Sequence, residues 1–387
     1  MSRNPVVKIL VLIAIVGVLA GDLTLVLVRR DRGVDAEPLP VESPLAQALP
    51  RLEAFVEQTR GLRFKRRVPV ELLSGDVFTE RLRDVDEPRD PQVADDDAEA
   101  FEGFLRVLGL LDGDLDLGAV DEVIEEHGIL GFYDPEEAAL YVRGSSLGPF
   151  EELILVHELT HALEDQHFDL DRPELDDRTD EASDSFLALV EGSAVVIEQR
   201  FLDSLPSDRR RAAEAGEEAA GDASGDLPEV MNELFGYPYR DGPVFVEGIL
   251  QAGGRARLDA ALADPPTTSE QVLHPERFLA GEGPRPVGRP RADGSVEDSG
   301  VLGERVLGLV LAEVAGRSPG RRAAEGWGGD RYVVWSTGDR TCIRWNLVMD
   351  TPADTAELVA ALRSFTARHR SARVESTDPV VVLQNCA

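Results

Sequence analysis

The two histidines of the HELTH segment, His157 and His161, have the residue types and the spacing that predict metal chemistry. The apolar run from Leu153 to Leu163 predicts a buried helix, and residues four apart lie on the same helix face. Both imidazoles can therefore bind one zinc ion, and the adjacent Glu158 can take a proton from a water molecule there. The alternative is two core histidines without a metal, but burying them beside a carboxylate would be costly without a shared partner.

A catalytic zinc site needs a third protein ligand, and two glutamates downstream of the histidines are candidates. Glu191 lies within residues 186–197, a segment that is apolar on nearly every side and is therefore predicted to be buried. A lone carboxylate there requires a cation, and Gly192 beside it would allow another helix to approach closely. Glu181 lies in a polar helix start, where a solvated acid is an ordinary finding. We favour Glu191 and keep Glu181 as its rival.

The pattern His-Glu-x-x-His followed by Glu-Gly-x-Ala resembles the gluzincin metallopeptidases, whose third zinc ligand is a glutamate. The aminopeptidase branch has an Asn before that glutamate, where this chain has Val190, and a loop at 169–180 lengthens the gap between the two motifs. Thermolysin-like spacing matches Glu181 instead. Residues 157–170, HELTHALEDQHFDL, also resemble an uncharacterised group of bacterial envelope proteins with this zincin core. Three further segments resemble the same group: 237–239, 265–275 and 327–332.

The resemblance implies an α+β fold of the zincin type, with a small sheet, an active-site helix and a helical second half. The strand at 139–143 would be the sheet edge that aligns a substrate. The resemblance also implies zinc-dependent hydrolysis of peptide bonds, with Glu158 as the general base. The metal ligands would be His157, His161 and Glu191.

Further polar side chains are candidates for supporting roles. Asp184 and Glu198 lie seven residues either side of the favoured third ligand, on the same helix stripe. Asp184 either orients a ligand histidine or is a solvated or paired acid. Gluzincins commonly stabilise the oxyanion with a Tyr or His from the C-terminal half, which makes Tyr237, Tyr239 and His274 candidates. Each also has an ordinary explanation, the tyrosines as packing residues or loop anchors and the histidine as part of a turn.

Two alternative functions remain open. Residues 144–148 match the Gly-x-Ser-x-Gly pattern between a predicted strand and a helix, which would make Ser146 the nucleophile of a serine hydrolase. Few strands precede this segment and the following helix is the zinc helix, so we favour it less. From a different class, the chain could be a zinc-stabilised envelope binding protein without turnover. Replacing Glu158 by Gln separates these functions, because hydrolysis by a zinc peptidase vanishes while zinc stays bound.

The N-terminal region predicts attachment to a membrane. Residues 9–28 form a hydrophobic stretch long enough to span a bilayer. The apolar run continues past a possible cleavage site, which favours an uncleaved signal anchor at 1–30 over a cleaved signal peptide. A Pro-rich linker follows at 31–44. We expect the acidic bulk outside the cell membrane, where Cys342 and Cys386 can form a disulfide.

The composition limits the class of protein. The 387-residue chain has 73 acidic and 40 basic residues, a net charge of −33, and 43 % of it is hydrophobic. Such a chain can bury a core, and its negative charge excludes nucleic-acid binding as the main function. We therefore expect a peptide or protein substrate. We predict an N-terminal subdomain at 45–202, a flexible loop at 203–228 and a mainly helical C-terminal subdomain with a small β-hairpin at 229–387.

Hydrophobic periodicity predicts the elements that position these residues. Helices are predicted at 45–60, 101–111, 149–166, 181–202, 244–252, 255–262, 301–314 and 353–366. Strands are predicted at 68–73, 129–133, 139–143, 332–335 and 342–348.

Overall fold

The structure is a computed structural model. It describes residues 43–85, 91–113, 115–124, 128–134, 137–176, 179–224, 227–338 and 340–387. The predicted signal anchor at 1–30 lies outside these residues, as does nearly all of the predicted linker. Within the described part of the chain, no helix is long and apolar enough to cross a membrane.

The first part of the chain forms a small three-stranded sheet with helices around it. Its elements are α1 (Pro44–Arg60), β1 (Val70–Leu73), α2 (Gly75–Val85), α3 (Pro91–Val107), α4 (Leu117–Val123), β2 (Gly131–Asp134) and β3 (Ala139–Arg143). The predicted hairpin is confirmed as β2 and β3, which pair antiparallel. Because β1 pairs in parallel with the other side of β3, the strand order is β1-β3-β2. Residues 139–143 are therefore the central strand, and the prediction that they form the sheet edge is wrong.

Helices make up the middle of the chain. They are α5 (Pro149–Phe168), α6 (Pro173–Asp176), α7 (Asp180–Ser204), α8 (Ser207–Ser224), α9 (Glu229–Phe235), α10 (Tyr237–Arg240), α11 (Gly242–Ala263), α12 (Ser269–Leu273) and α13 (Pro275–Ala280). Helix α5 begins at a proline, and the Glu151 carboxylate accepts a 2.7 Å hydrogen bond from the Gly148 N–H. Helix α7 begins after Thr179, whose hydroxyl accepts a hydrogen bond from the Ala182 N–H. Both long helices lie where the sequence predicts them.

The prediction of a flexible loop at 203–228 is wrong, because most of this segment forms helix α8. Its residues are mostly Ala, Glu and Arg, which favour helices, so their polarity indicated exposure and not the absence of structure. One face of α8 docks on the protein. Ala213 is fully buried, and a Cβ added at Gly216 would lie 2.6 Å from the Phe150 side chain on α5.

The C-terminal part contains a five-stranded antiparallel sheet. Its elements are β4 (Ser295–Gly300), α14 (Gly303–Ala315), α15 (Arg317–Ala324), β5 (Trp327–Thr337), β6 (Arg340–Met349), α16 (Pro352–Arg368), β7 (Arg373–Thr377) and β8 (Val380–Cys386). The predicted hairpin is β5 and β6, and the strand order β4-β5-β6-β8-β7 adds three strands, so the sheet is larger than the small hairpin predicted for 229–387. The edge strands β4 and β7 are mostly polar and carry no apolar alternation that would reveal them. A disulfide joins Cys342 to Cys386, which face each other on β6 and β8.

The largest apolar core unites segments that the predicted subdomain boundary at 202 would separate. Buried side chains of α1, α5 and α7 pack in this core with those of α11 and α12, for example Leu159, Leu189 and Phe245. A second core joins α14, α16 and the five-stranded sheet to the end of α3. Helices α5 and α7, which carry the predicted metal ligands, therefore lie in a core built from residues before and after position 202.

Candidate metal centre

The two predicted histidine ligands and the favoured glutamate meet at one point between α5 and α7. His157 Nε2 lies 3.1 Å from Glu191 Oε2, and His161 Nε2 lies 3.5 Å from the same oxygen. Their ligand atoms all lie within 4.8 Å of one another. Among the described residues, this is the one group of three His, Cys, Asp or Glu side chains close enough to hold a metal ion. The two-histidine, one-carboxylate donor set is one that zinc accepts in catalytic sites.

The centre is fully buried and its hydrogen bonding is incomplete. His157, Glu158, His161 and Glu191 all have 0 % exposure. Both ring nitrogens of His161, both carboxylate oxygens of Glu158 and Oε1 of Glu191 lack a hydrogen-bond partner. Unpartnered buried polar atoms are costly, and a cation bound by His157, His161 and Glu191 would supply a partner for the side chains of His161 and Glu191. The residues present therefore fit a zinc ion.

Glu198 holds the far side of the His157 ring. Its Oε2 lies 2.8 Å from His157 Nδ1, so both ring nitrogens face carboxylate oxygens. An ionised carboxylate only accepts hydrogen bonds, so two ionised carboxylates favour a proton on each ring nitrogen in the metal-free chain. Burial opposes this charge, but the hydrogen bonds to Glu191 and Glu198 outweigh burial and raise the pKa of His157 well above its usual value.

We predict that zinc binding releases protons. Zinc requires a neutral imidazole nitrogen, so at neutral pH the ion displaces the Nε2 proton of His157. At least about one proton per chain leaves, and zinc affinity rises about tenfold per pH unit until the pH passes the raised pKa. Calorimetry in two buffers of different ionisation enthalpy measures the release. Binding without proton release would contradict the protonation of His157.

Glu191 and Glu158 have opposite electrostatic settings. Burial would raise the pKa of Glu191, but His161 and His157 outweigh burial and lower it to about 2. Glu191 is therefore ionised and suited to bind a metal. Burial raises the pKa of Glu158 well above its usual value. The main chain of Tyr133 lies nearby and lowers this pKa, but it does not form a hydrogen bond with either carboxylate oxygen.

Strand β2 lies against the Glu158 side of α5. A Cβ added at Gly131 would lie 2.8 Å from the Ile154 side chain and 3.2 Å from Glu158 Cγ. The Tyr133 hydroxyl donates a 3.0 Å hydrogen bond to Asp165 Oδ2, which fixes the strand to the helix. Strand β2 is an edge strand and lies beside the centre, in the position where residues 139–143 were predicted.

Glu181 and Asp184 lie apart from the metal cluster. Glu181 accepts hydrogen bonds from the Ser269 N–H at 2.6 Å and from the Ser269 hydroxyl at 2.7 Å. Burial raises its pKa to about 8 against the effect of these bonds. Asp184 forms a 2.8 Å ion pair with Arg305, so it is a paired acid, and Glu198 orients the histidine instead.

The three predicted oxyanion stabilisers occupy varied environments. Tyr237 is buried, its hydroxyl has no hydrogen-bond partner, and the Arg305 guanidinium lies 4.5 Å from its ring centre. Tyr239 is buried on the same short helix. His274 is half-buried, and its Nε2 lies 2.9 Å from Glu304 Oε1. Among the described residues, no hydrogen bond or ion pair links Tyr237 or His274 to the metal cluster, and their catalytic role stays a prediction.

Ser146 has no histidine partner among the residues that the structure describes. It is exposed, and none of the described histidines forms a hydrogen bond with it. A serine hydrolase requires a nucleophile and a base within hydrogen-bond reach. The geometry therefore does not support this alternative.

Two glycines, Gly192 on α7 and Gly242 on α11, allow these helices to pack closely beside Glu191. A Cβ added at Gly192 would lie 2.3 Å from the carbonyl carbon of Gly242 on α11. A Cβ at Gly242 would lie 2.1 Å from the Ala188 carbonyl oxygen. Any larger side chain would force the helices apart, which explains the glycine beside Glu191.

Comparison with known proteins adds one match. A family described as a domain of unknown function (DUF8575) matches residues 290–385, which contain the five-stranded sheet. The match covers less than a third of the chain and does not include the metal cluster. No curated protein and no solved structure matches the chain.

Proposed function

We propose that the chain is a membrane-anchored zinc metallopeptidase that hydrolyses peptide bonds outside the cell membrane. The observation that carries this proposal is the convergence of His157, His161 and Glu191 beside a buried glutamate without hydrogen-bond partners. That glutamate, Glu158, directly follows His157 in the sequence, which is the position of the general base in the His-Glu-x-x-His motif.

Each side chain of the centre has a distinct role in the proposed reaction. A zinc ion held by the three ligands would supply a Lewis acid that polarises the scissile carbonyl and makes water more acidic. Glu158 takes the proton of the attacking water and later gives it to the leaving amine. Glu198 keeps His157 oriented through Nδ1, which leaves Nε2 for the metal.

The edge strand β2 favours a peptide as the substrate. An extended peptide can pair with the main chain of a sheet edge and so take a fixed direction. Because all four residues of β2 are buried, this pairing requires the segments that cover the strand to move aside. Because β2 contacts Glu158, a peptide aligned on it would pass the general base.

Two features support an extracytoplasmic location. The apolar stretch at 9–28 has the length of a membrane span. The Cys342–Cys386 disulfide belongs in an oxidising compartment, because cytoplasmic thiols are kept reduced.

A zinc-stabilised binding protein without turnover is the second candidate. The 0 % exposure of all four residues favours it, since a substrate must reach the centre. Structural zinc sites, however, are closed by four protein ligands, whereas this cluster offers three. The missing fourth ligand leaves a position for water, which favours the peptidase.

Chelation tests the proposal. We expect the purified full chain to cleave some members of a library of internally quenched peptides, to lose this activity with a zinc chelator, and to regain it with zinc. The restored rate should titrate to about one zinc per chain, as for one catalytic site. Cleavage that survives complete removal of zinc would contradict the proposal.

A further inference from the structure

A buried charged network lies beside the metal centre. Arg60, at the end of α1, donates from Nε to Glu164 Oε1 at 2.5 Å. The Ser193 hydroxyl on α7 donates to the same oxygen at 2.7 Å. Arg60 Nη1 also lies 2.6 Å from Asp259 Oδ1 on α11. Arg60, Glu164 and Ser193 are each at most 2 % exposed.

Glu164 Oε1 links both ligand helices at the level of the ligands. Glu164 is three residues after His161, on the same side of α5, and Ser193 is two residues after Glu191 along α7. The hydrogen bond between them therefore joins the two helices within about one helical turn of the ligands. Apolar packing around them is non-directional, whereas a charge-assisted hydrogen bond is short and directional.

Arg60 makes this bond possible. A buried carboxylate without a counter-ion must gain water or a proton, and either change would disturb its contacts. Arg60 is the cation that contacts Glu164 in the described residues, and it reaches there from a third helix.

We propose that Arg60 is a positioning residue for the metal centre, acting through Glu164 and Ser193 to hold Glu191 at the distance that zinc requires. The inference rests on the proposed zinc site. Zinc tolerates deviations of only about 0.2 Å in ligand distance, so a small shift of α7 against α5 lowers affinity.

The test compares metal binding by Arg60→Met with binding by Arg51→Met. Arg51 is on the same helix and pairs with Glu152 on α5 at 2.7 Å, but its side chain is 51 % exposed. We expect Arg60→Met to weaken zinc binding at least about tenfold and to change the visible spectrum of bound Co²⁺, which reports ligand geometry. Arg51→Met should bind like the parent chain.

A double variant and a milder variant keep the proposal testable if Arg60→Met does not fold. Arg60→Met with Glu164→Gln removes both charges but keeps an acceptor for Ser193, so zinc affinity and the Co²⁺ spectrum should return towards those of the parent. Ser193→Ala should weaken zinc binding about threefold, because the hydrogen bond that joins α7 to Glu164 is lost. Ser185→Ala is its control, since that buried hydroxyl donates to a carbonyl of its own helix.

The outcomes separate this inference from the proposed function. If the parent binds zinc, and Arg60→Met and Ser193→Ala bind it with the same affinity and the same Co²⁺ spectrum, the network is only structural and the inference is wrong. If the parent itself binds neither metal, both the inference and the proposed function are wrong.

Discussion

Replacing Glu158 by Gln should abolish hydrolysis and leave zinc in place. Gln has the size of Glu but cannot accept a proton from water, so kcat/KM should fall by at least about 10³-fold. Glu158 is not among the metal ligands, so zinc content should stay at the level of the parent. The measurement pairs peptide cleavage with metal analysis of the same preparation.

Protein stability should not explain the loss. Burial raises the pKa of Glu158 well above its usual value, so ionising it is unfavourable in the metal-free chain. A neutral side chain of the same shape removes that cost, and the midpoint of thermal unfolding should not decrease. Glu152→Gln is the control on the same helix, because its carboxylate pairs with partly exposed arginines. Its activity should stay within about twofold of the parent. Cleavage by Glu158→Gln at the parental rate would rule out the assigned general base.

Gly192→Ala should destabilise the fold and weaken the metal centre together. The new Cβ would lie 2.3 Å from main-chain atoms of Gly242, which cannot rotate away as a side chain can. We expect the free energy of unfolding to fall by about 3 kcal/mol, as for overpacked cores. Because α7 must move to relieve the contact, zinc affinity should fall as well. Chemical denaturation and competition with a chelator measure the two effects.

Gly221→Ala is the matched control for this substitution. Gly221 is also helical, but a Cβ there would meet nothing within 4 Å. Alanine favours a helix over glycine, so this variant should be more stable by about 0.5–1 kcal/mol. Equal stability of the two variants would show that α7 and α11 do not pack as closely as described.

The sequence predicted the centre well because its signals are local. The spacing of His157 and His161 on one helix determines their common direction, and the apolar surroundings of Glu191 indicate a buried carboxylate. The structure brings these three side chains together and places Glu181 elsewhere.

The supporting residues required information on how the helices pack. Asp184 and Glu198 are equidistant from Glu191 in sequence, and only the direction of α7 relative to α5 selects Glu198. Arg60 reaches Glu164 from 104 residues earlier, and no local pattern predicts such a contact. The role of β2 depends on the pairing of β1 with β3, which also lies beyond local periodicity.

The fold was predicted wrongly at α8, whose composition suggested a loop, and at the edge strands β4 and β7. The polar residues of α8 suggested a loop, but its buried Ala213 and the close approach of Gly216 to Phe150 hold a helix there. Strands β4 and β7 are held by main-chain pairing at the sheet edges, which does not require an apolar pattern.

The zinc content of the purified chain tests most directly whether His157, His161 and Glu191 bind zinc. We expect mass spectrometry to find about one zinc ion per parent chain. The His161→Ala and Glu191→Ala variants should lose this zinc. Glu181→Gln should keep the metal, because Glu181 bonds to Ser269 and not to the histidines. Parent protein that was never exposed to chelator and holds no zinc would contradict the account, as would a Glu191→Ala variant with full zinc content.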